Sequence, residues 1–160
     1  MQRRIVLAAL PLALSGCGFA LRRAPALPFE RISLTGFDPR SPLAEELART
    51  LSTSVSVVAA GQKPEVLLQS LLDRRDKVVA AANAAGQVRE VQLRVHFEFK
   101  LVTPGGRELL PKVGLVLVRD LSYNETFALA KEQEEAQIYA AMQSDIVMQV
   151  LRRLAQAPRA

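Results

Sequence analysis

The chain has 160 residues with 21 Lys and Arg against 16 Asp and Glu, a formal charge of +5, one cysteine, one histidine and no tryptophan. One thiol excludes an internal disulfide, and with a single histidine beside it a protein-ligated zinc site has no donor set. The scarcity of aromatic residues argues against a stacking surface for single-stranded nucleic acid.

The first element is a leader. Arg3 and Arg4 are followed by ten mostly apolar residues, Ile5 to Leu14, and the small pair Ser15-Gly16, the three zones of an export signal. Ten helical residues rise only about 15 Å, half the thickness of a hydrocarbon core, so the segment targets and does not span. Leu14-Ser15-Gly16-Cys17 resembles the bacterial lipobox, in which cleavage before the cysteine leaves it acylated at the new amino terminus. This makes residues 1–16 a signal peptide and Cys17 the lipidation site, a stable membrane attachment through acyl chains. In Gram-negative lipoproteins an aspartate after the cysteine marks inner-membrane retention. Gly18 stands there, which places the expected address at the outer membrane, facing the periplasm. Processing removes two basic residues and no acidic one, so the mature balance is +3. That address disfavours nucleic acid as a partner and offers the phosphates of lipopolysaccharide as an anionic one.

Residues 17–28 carry arginines, alanines and two prolines with no hydrophobic period, and read as the lipidated terminus and its tether. Phe29 to Leu34 alternates as a first strand, closed by a turn over Gly36 to Pro39. Ser41-Pro42 supplies an N-cap with proline at the first helical position, and Leu43, Leu47 and Leu51 repeat behind it, which predicts a helix over 42–53. Ser54 to Ala59 offers a brief strand. Glu65 to Ala81 is a longer one, turning at Asn83 to Gly86. Val91, Leu93, Val95, Phe97, Phe99 and Leu101 then alternate without a break against Gln92, Arg94, His96, Glu98 and Lys100, so one face of this strand is core and the other wet. A turn at Pro104 to Gly106 leads to a last strand over Val113 to Val118, with Gly114 as the expected bulge or close-packing point. Glu125 to Ala155 reads as a long helix with Ile138, Met142, Ile146, Val150 and Leu154 on one stripe.

These elements predict an α+β two-layer sandwich: two helices on one face of a mostly antiparallel or mixed four-stranded sheet, a single domain over 29–156 with a tail at 157–160. Catalysis finds little support. His96 and Glu98 share a face but lack a nucleophile, and Glu132, Glu134 and Glu135 beside Lys131 read as a solvated helix face. No nucleophile elbow, phosphate loop or metal-ligand cluster is present, so neither a cofactor nor a metal is expected.

Arg119-Asp120-Leu121-Ser122-Tyr123-Asn124-Glu125, continued by Ala128-Leu129-Ala130-Lys131-Glu132-Gln133-Glu134-Glu135, resembles the signature of the LPS-assembly lipoprotein family LptE, and so does Cys17-Gly18-Phe19 followed by Leu21-Arg22. Ala20 and Arg23 depart from the residues common after that cysteine. The resemblance implies a non-enzymatic outer-membrane lipoprotein with two helices on a mostly four-stranded sheet. Such a protein plugs the LptD β-barrel, supports its assembly and helps deliver lipopolysaccharide to the outer leaflet. It also implies that Lys131 contacts lipopolysaccharide. In the turn where a relative would present a second basic residue, this chain has Ala84-Ala85, and Arg89, Arg94, Lys112 and Arg119 are the weaker basic candidates. The alternative is a generic periplasm-facing lipoprotein that binds a lipid or scaffolds another envelope complex.

Overall fold

The computed structural model of the protein describes residues 26–59, 61–123 and 128–159. The order along the chain is β1 (Arg31–Thr35), α1 (Pro42–Leu51), β2 (Ser56–Val57), β3 (Val66–Ala82), β4 (Val88–Val102), β5 (Glu108–Ser122) and α2 (Ala128–Leu154). The strands form one mixed sheet in the order β2-β1-β3-β4-β5. It has five strands, not the expected four, because Ser56 and Val57 pair parallel with Arg31 and Ile32 and extend the edge by two residues. The return through α1 makes both pairings of β1 parallel, whereas β3, β4 and β5 form antiparallel hairpins.

Each helix starts or packs for a local reason. The Ser41 hydroxyl accepts the N–H of Ala44 at 3.1 Å and donates to Asp73 Oδ2 at 2.7 Å, so the cap also ties α1 to β3. Leu43, Leu47 and Leu51 are buried on one side of α1. In α2 the stripe is broader than expected, adding Val147 and Leu151 to Met142, Ile146, Val150 and Leu154. These side chains close over Val91, Leu93, Val95, Phe97, Phe99 and Leu101, all buried, so the alternation of β4 divides its faces as anticipated. The apolar cluster runs on to Ala157. No described helix is long and apolar enough to cross a membrane. The expected start of α2 at Glu125 falls among residues outside the described set.

Of the breaks in strand register, two bear on where the polar side chains point. In β5, Val113 faces Phe99 and Leu110 faces Leu101, so Pro111 and Lys112 together oppose Lys100. The bulge is therefore here and not at Gly114, which pairs regularly with Glu98. A proline has no ladder N–H to give and is accommodated where pairing is already broken, on an edge strand. In β3, Ser70 faces Phe99 and Leu72 faces Glu98, which leaves Leu71 as an extra, exposed residue. The extra residue reverses the parity of the strand. Before it, Val66 and Leu68 point into the core. After it, Asp73, Arg75 and Lys77 lie opposite the core residues Phe97, Val95 and Leu93, on the side that carries the helices.

Gly36 ends β1 with φ +77°, and a Cβ built there would lie 2.5 Å from the backbone oxygen of Ser70. Gly86, at the β3–β4 turn, has the same φ but nothing within 4 Å of its Cβ position. Ala at Gly86 should therefore show the cost of left-handed backbone alone, above about 1 kcal/mol, while Gly36→Ala adds a collision with backbone that cannot move aside. Urea unfolding of the two variants should give a clearly lower midpoint for Gly36→Ala.

Candidate functional site

The sheet face away from the helices carries a ladder of paired charges. Lys112 Nζ lies 2.7 Å from Glu98 Oε2, His96 Nε2 lies 3.4 Å from Glu98 Oε1, and Lys100 meets Glu108 at 3.7 Å. Further along, Arg74 pairs with Asp76 at 2.8 Å, while the Gln92 amide accepts from Arg94 and donates to Asp120 at 2.9 Å. Exposed Val78, Val116 and Val118 are interspersed among these polar groups. The ammonium of Lys112, helped by His96, holds the Glu98 carboxyl below the usual carboxylate range against the opposing effect of burial.

A carboxyl depressed in the folded chain stabilises it above the unfolded value near 4.5, and that contribution is lost as pH falls through the lower folded value. Lys112→Met should therefore lower stability at neutral pH. The difference from the wild type should shrink under acid conditions that protonate Glu98 in both, as read by thermal unfolding across the acid range.

The described fold brings two of the candidate basic residues to one end and leaves the others elsewhere. That end is built from the β3–β4 hairpin, the last residues of β5 and the first turns of α2. Asn83 shapes the hairpin by accepting the N–H groups of Ala85 and Gln87 on its side-chain oxygen at 3.0 and 2.9 Å. Arg89 is exposed there, donating to Gln87, and its carbonyl accepts the N–H of Tyr123. Lys131 reaches back from α2 to Ser122 Oγ at 3.2 Å and to Glu134 Oε2 at 2.7 Å, with 19% of its side chain exposed. The ammonium thus pins the start of α2 to the end of β5. Exposed Val79 and Leu129 add apolar surface to this end.

Arg94 stands on the bare sheet face, paired with Gln92. Lys112 shares that face at the β5 bulge, toward the other end of the strands. Arg119 faces Leu93 on the helix-bearing side, 3.6 Å from Asp145 of α2. Cys17 lies outside the described residues. Arg75 and Lys77 were not among the sequence candidates, yet the Leu71 bulge turns both toward α2, where Arg75 donates to Gln143 and Lys77 pairs with Glu135 at 2.6 Å. Among the described residues, no group of three His, Cys, Asp or Glu is placed to hold a metal ion.

Comparison with known proteins agrees with this architecture. The model of the LptE lipopolysaccharide-assembly family matches residues 29–154. The solution structure of lipoprotein B from Nitrosomonas europaea is 32% identical, with 86% of this chain and 90% of that one aligned at a TM-score of 0.72. Rare lipoprotein B from Shewanella oneidensis is 23% identical over 79% of this chain and 92% of its own, with a TM-score of 0.61. A minor lipoprotein from Acinetobacter baumannii is 18% identical over 82% and 96%, with a TM-score of 0.66. These last two share the fold. No curated protein matches by sequence. The match spans the whole domain from Phe29, ahead of β1, to the end of α2, and on it the chain belongs to the LptE family of lipopolysaccharide-assembly lipoproteins.

Proposed function

We propose that this chain is an outer-membrane lipoprotein anchored through acyl chains on Cys17, that it occupies and supports assembly of an LptD β-barrel, and that it helps deliver lipopolysaccharide to the outer leaflet. In this reading residues 1–16 are removed, residues 17–28 tether the domain at the periplasmic side of the membrane, and the protein acts by binding, with no catalytic step.

The observation that carries the reading is the bare sheet face. A barrel lumen is polar, and a plug must offer it polar side chains that are already satisfied in solution. Charges matched on the face itself, Arg74 with Asp76, Lys112 and His96 with Glu98, and Arg94 and Asp120 through the Gln92 amide, with small valines between them, suit that contact. Purifying the tagged full chain in mild detergent should recover a large barrel protein at one-to-one stoichiometry. A partner of any other kind, or none, would favour the generic envelope lipoprotein.

Lys131 is proposed to contact lipopolysaccharide phosphate from the hairpin end. Its hydrogen bonds to Glu134 and Ser122 mean that a phosphate must compete with an existing ion pair, and the gain should be sensitive to salt. Lys131→Asp should weaken lipopolysaccharide binding at low salt more than it lowers the unfolding temperature, since the core stripe of α2 begins further along the helix. Unchanged binding by a folded variant at low and moderate salt would remove Lys131 from the site.

A further inference from the structure

The polar residues that the Leu71 bulge turns inward do not end in a closed seam. Arg75 and Lys77, with Glu132, Glu135, Ala136 and Tyr139 of α2, line an open cleft of about 510 Å³. It lies beyond the last residue of β1, where β3 loses its neighbour on that side. The Tyr139 hydroxyl donates to the Asp76 carbonyl at 2.9 Å, which fixes the ring as a wall of the cleft. Burial and the nearby Glu135 carboxylate raise the pKa of that hydroxyl, so the ring stays neutral.

The two cations are held differently. Lys77 is clamped by Glu135, which keeps it charged, and lies 5.7 Å from the centre of the Tyr123 ring. Arg75 lies 5.7 Å from the centre of the Tyr139 ring and hydrogen-bonds to the neutral amide of Gln143. Among the described residues it has no carboxylate within ion-pair distance. A guanidinium carries five donors in a planar fork, and the one hydrogen bond that Arg75 makes among the described residues, to Gln143, leaves the others available to a ligand.

From this geometry we infer that the cleft binds a phosphate monoester carried on a sugar, the phosphate seated on the open edge of Arg75 and on Lys77, which exchanges Glu135 for it. The inference rests on the reading that the chain handles lipopolysaccharide, and adds a place where a phosphorylated sugar is gripped, separate from Lys131. The open cleft leaves room beside the two cations for more than a phosphate. Its acidic lining, Glu132 and Glu135, is the reason for the sugar: Glu132, which holds neither cation, accepts hydrogen bonds only, and hydroxyl groups are what it can receive. The same carboxylates repel an anion that brings no hydroxyls, so a bare phosphate gains less. Because Lys77 must leave Glu135, the resting ion pair competes with the ligand and sets its affinity.

The test is calorimetric titration of the full chain in a neutral detergent with glucose 1-phosphate, inorganic phosphate and glucose. The expected order is glucose 1-phosphate first, inorganic phosphate weaker, glucose without measurable binding. Arg75→Gln should weaken glucose 1-phosphate about tenfold, the loss of one charge-assisted contact. Glu135→Gln should tighten it several-fold by releasing Lys77. Absence of binding by the wild type, wild-type affinity in a folded Arg75→Gln, or weaker binding in a folded Glu135→Gln overturns the site. Equal affinity for inorganic phosphate and glucose 1-phosphate overturns the sugar. Recovery of the barrel partner with the wild type is scored separately, so a failed cleft and a failed plug reading give different results.

Discussion

Phe97→Ala is expected to lower the unfolding free energy by about 3–5 kcal/mol, a large part of the stability of a domain this size. Phe97 is fully buried at the middle of β4, with its ring stacked against Phe99 at 5.5 Å and Phe37 at 5.8 Å. Phe99 is held by β4 itself, two residues on, and Phe37 by the turn after β1, so the void has little means of collapsing. Glu98, the next residue, points to the opposite face, and its partners Lys112 and His96 are both in contact with water. Glu98→Ala should cost far less, no more than the modest contribution of an ion pair whose Lys112 partner is open to water. Denaturant midpoints for the pair measure the asymmetry of the sheet. Equal shifts would mean that β4 does not have one dry and one wet face.

The second large effect concerns attachment. Cys17→Ala is expected to abolish membrane association while leaving the fold intact, because the proposed anchor is covalent lipid and the described core draws on nothing before Leu27. With its own leader the variant should persist unprocessed. Exported on a different leader, it should fractionate with the soluble periplasmic contents and unfold at the wild-type temperature. Intact mass of the wild type gives the direct check: a mature species beginning at Cys17 with added acyl mass. A mature chain without that mass would refute lipidation, and a variant that stays with the membrane would assign the attachment to the domain itself.

What could be read in the sequence follows from how much each signal depends on distant chain. The alternation of β4 is local and unbroken, and the structure keeps its faces residue for residue. Helix α1 is equally local, because Ser41-Pro42 and the leucine repeat lie within a dozen residues. The β5 strand was legible only at its centre. Pro111 argues against a strand unless a bulge is known to be there, and Arg119-Asp120 look like a loop until their pairing with Leu93 and Gln92 is seen. The Leu71 bulge was silent for a different reason. Leu67, Leu68, Leu71 and Leu72 supply apolar residues in both parities, so an inserted residue changes no visible period. Everything downstream of it, including the turn of Arg75 and Lys77 toward α2, was therefore hidden. The hairpin end is the reverse case: the resemblance picked out Lys131, and the fold places it there beside Arg89, one of the four weaker basic candidates, but the ion pair that Lys131 makes with Glu134 needed coordinates.

The interior position of β1 bears on how the domain would carry a mechanical load. The chain enters the fold from its N-terminal side directly into β1, which runs parallel to a neighbour on each flank, Ser56–Val57 on one and Val66–Gln69 on the other. The far end of β3, by contrast, belongs to the hairpin at the opposite pole of the sheet. A pull on the N-terminal side, resisted by whatever grips that hairpin, slides β1 lengthwise between its flanking strands. The bonds crossing to both sides are strained together and must break in concert, where a pull across the strands would unzip them one at a time. Tension delivered through an N-terminal leash thus meets the sheet along its strongest direction.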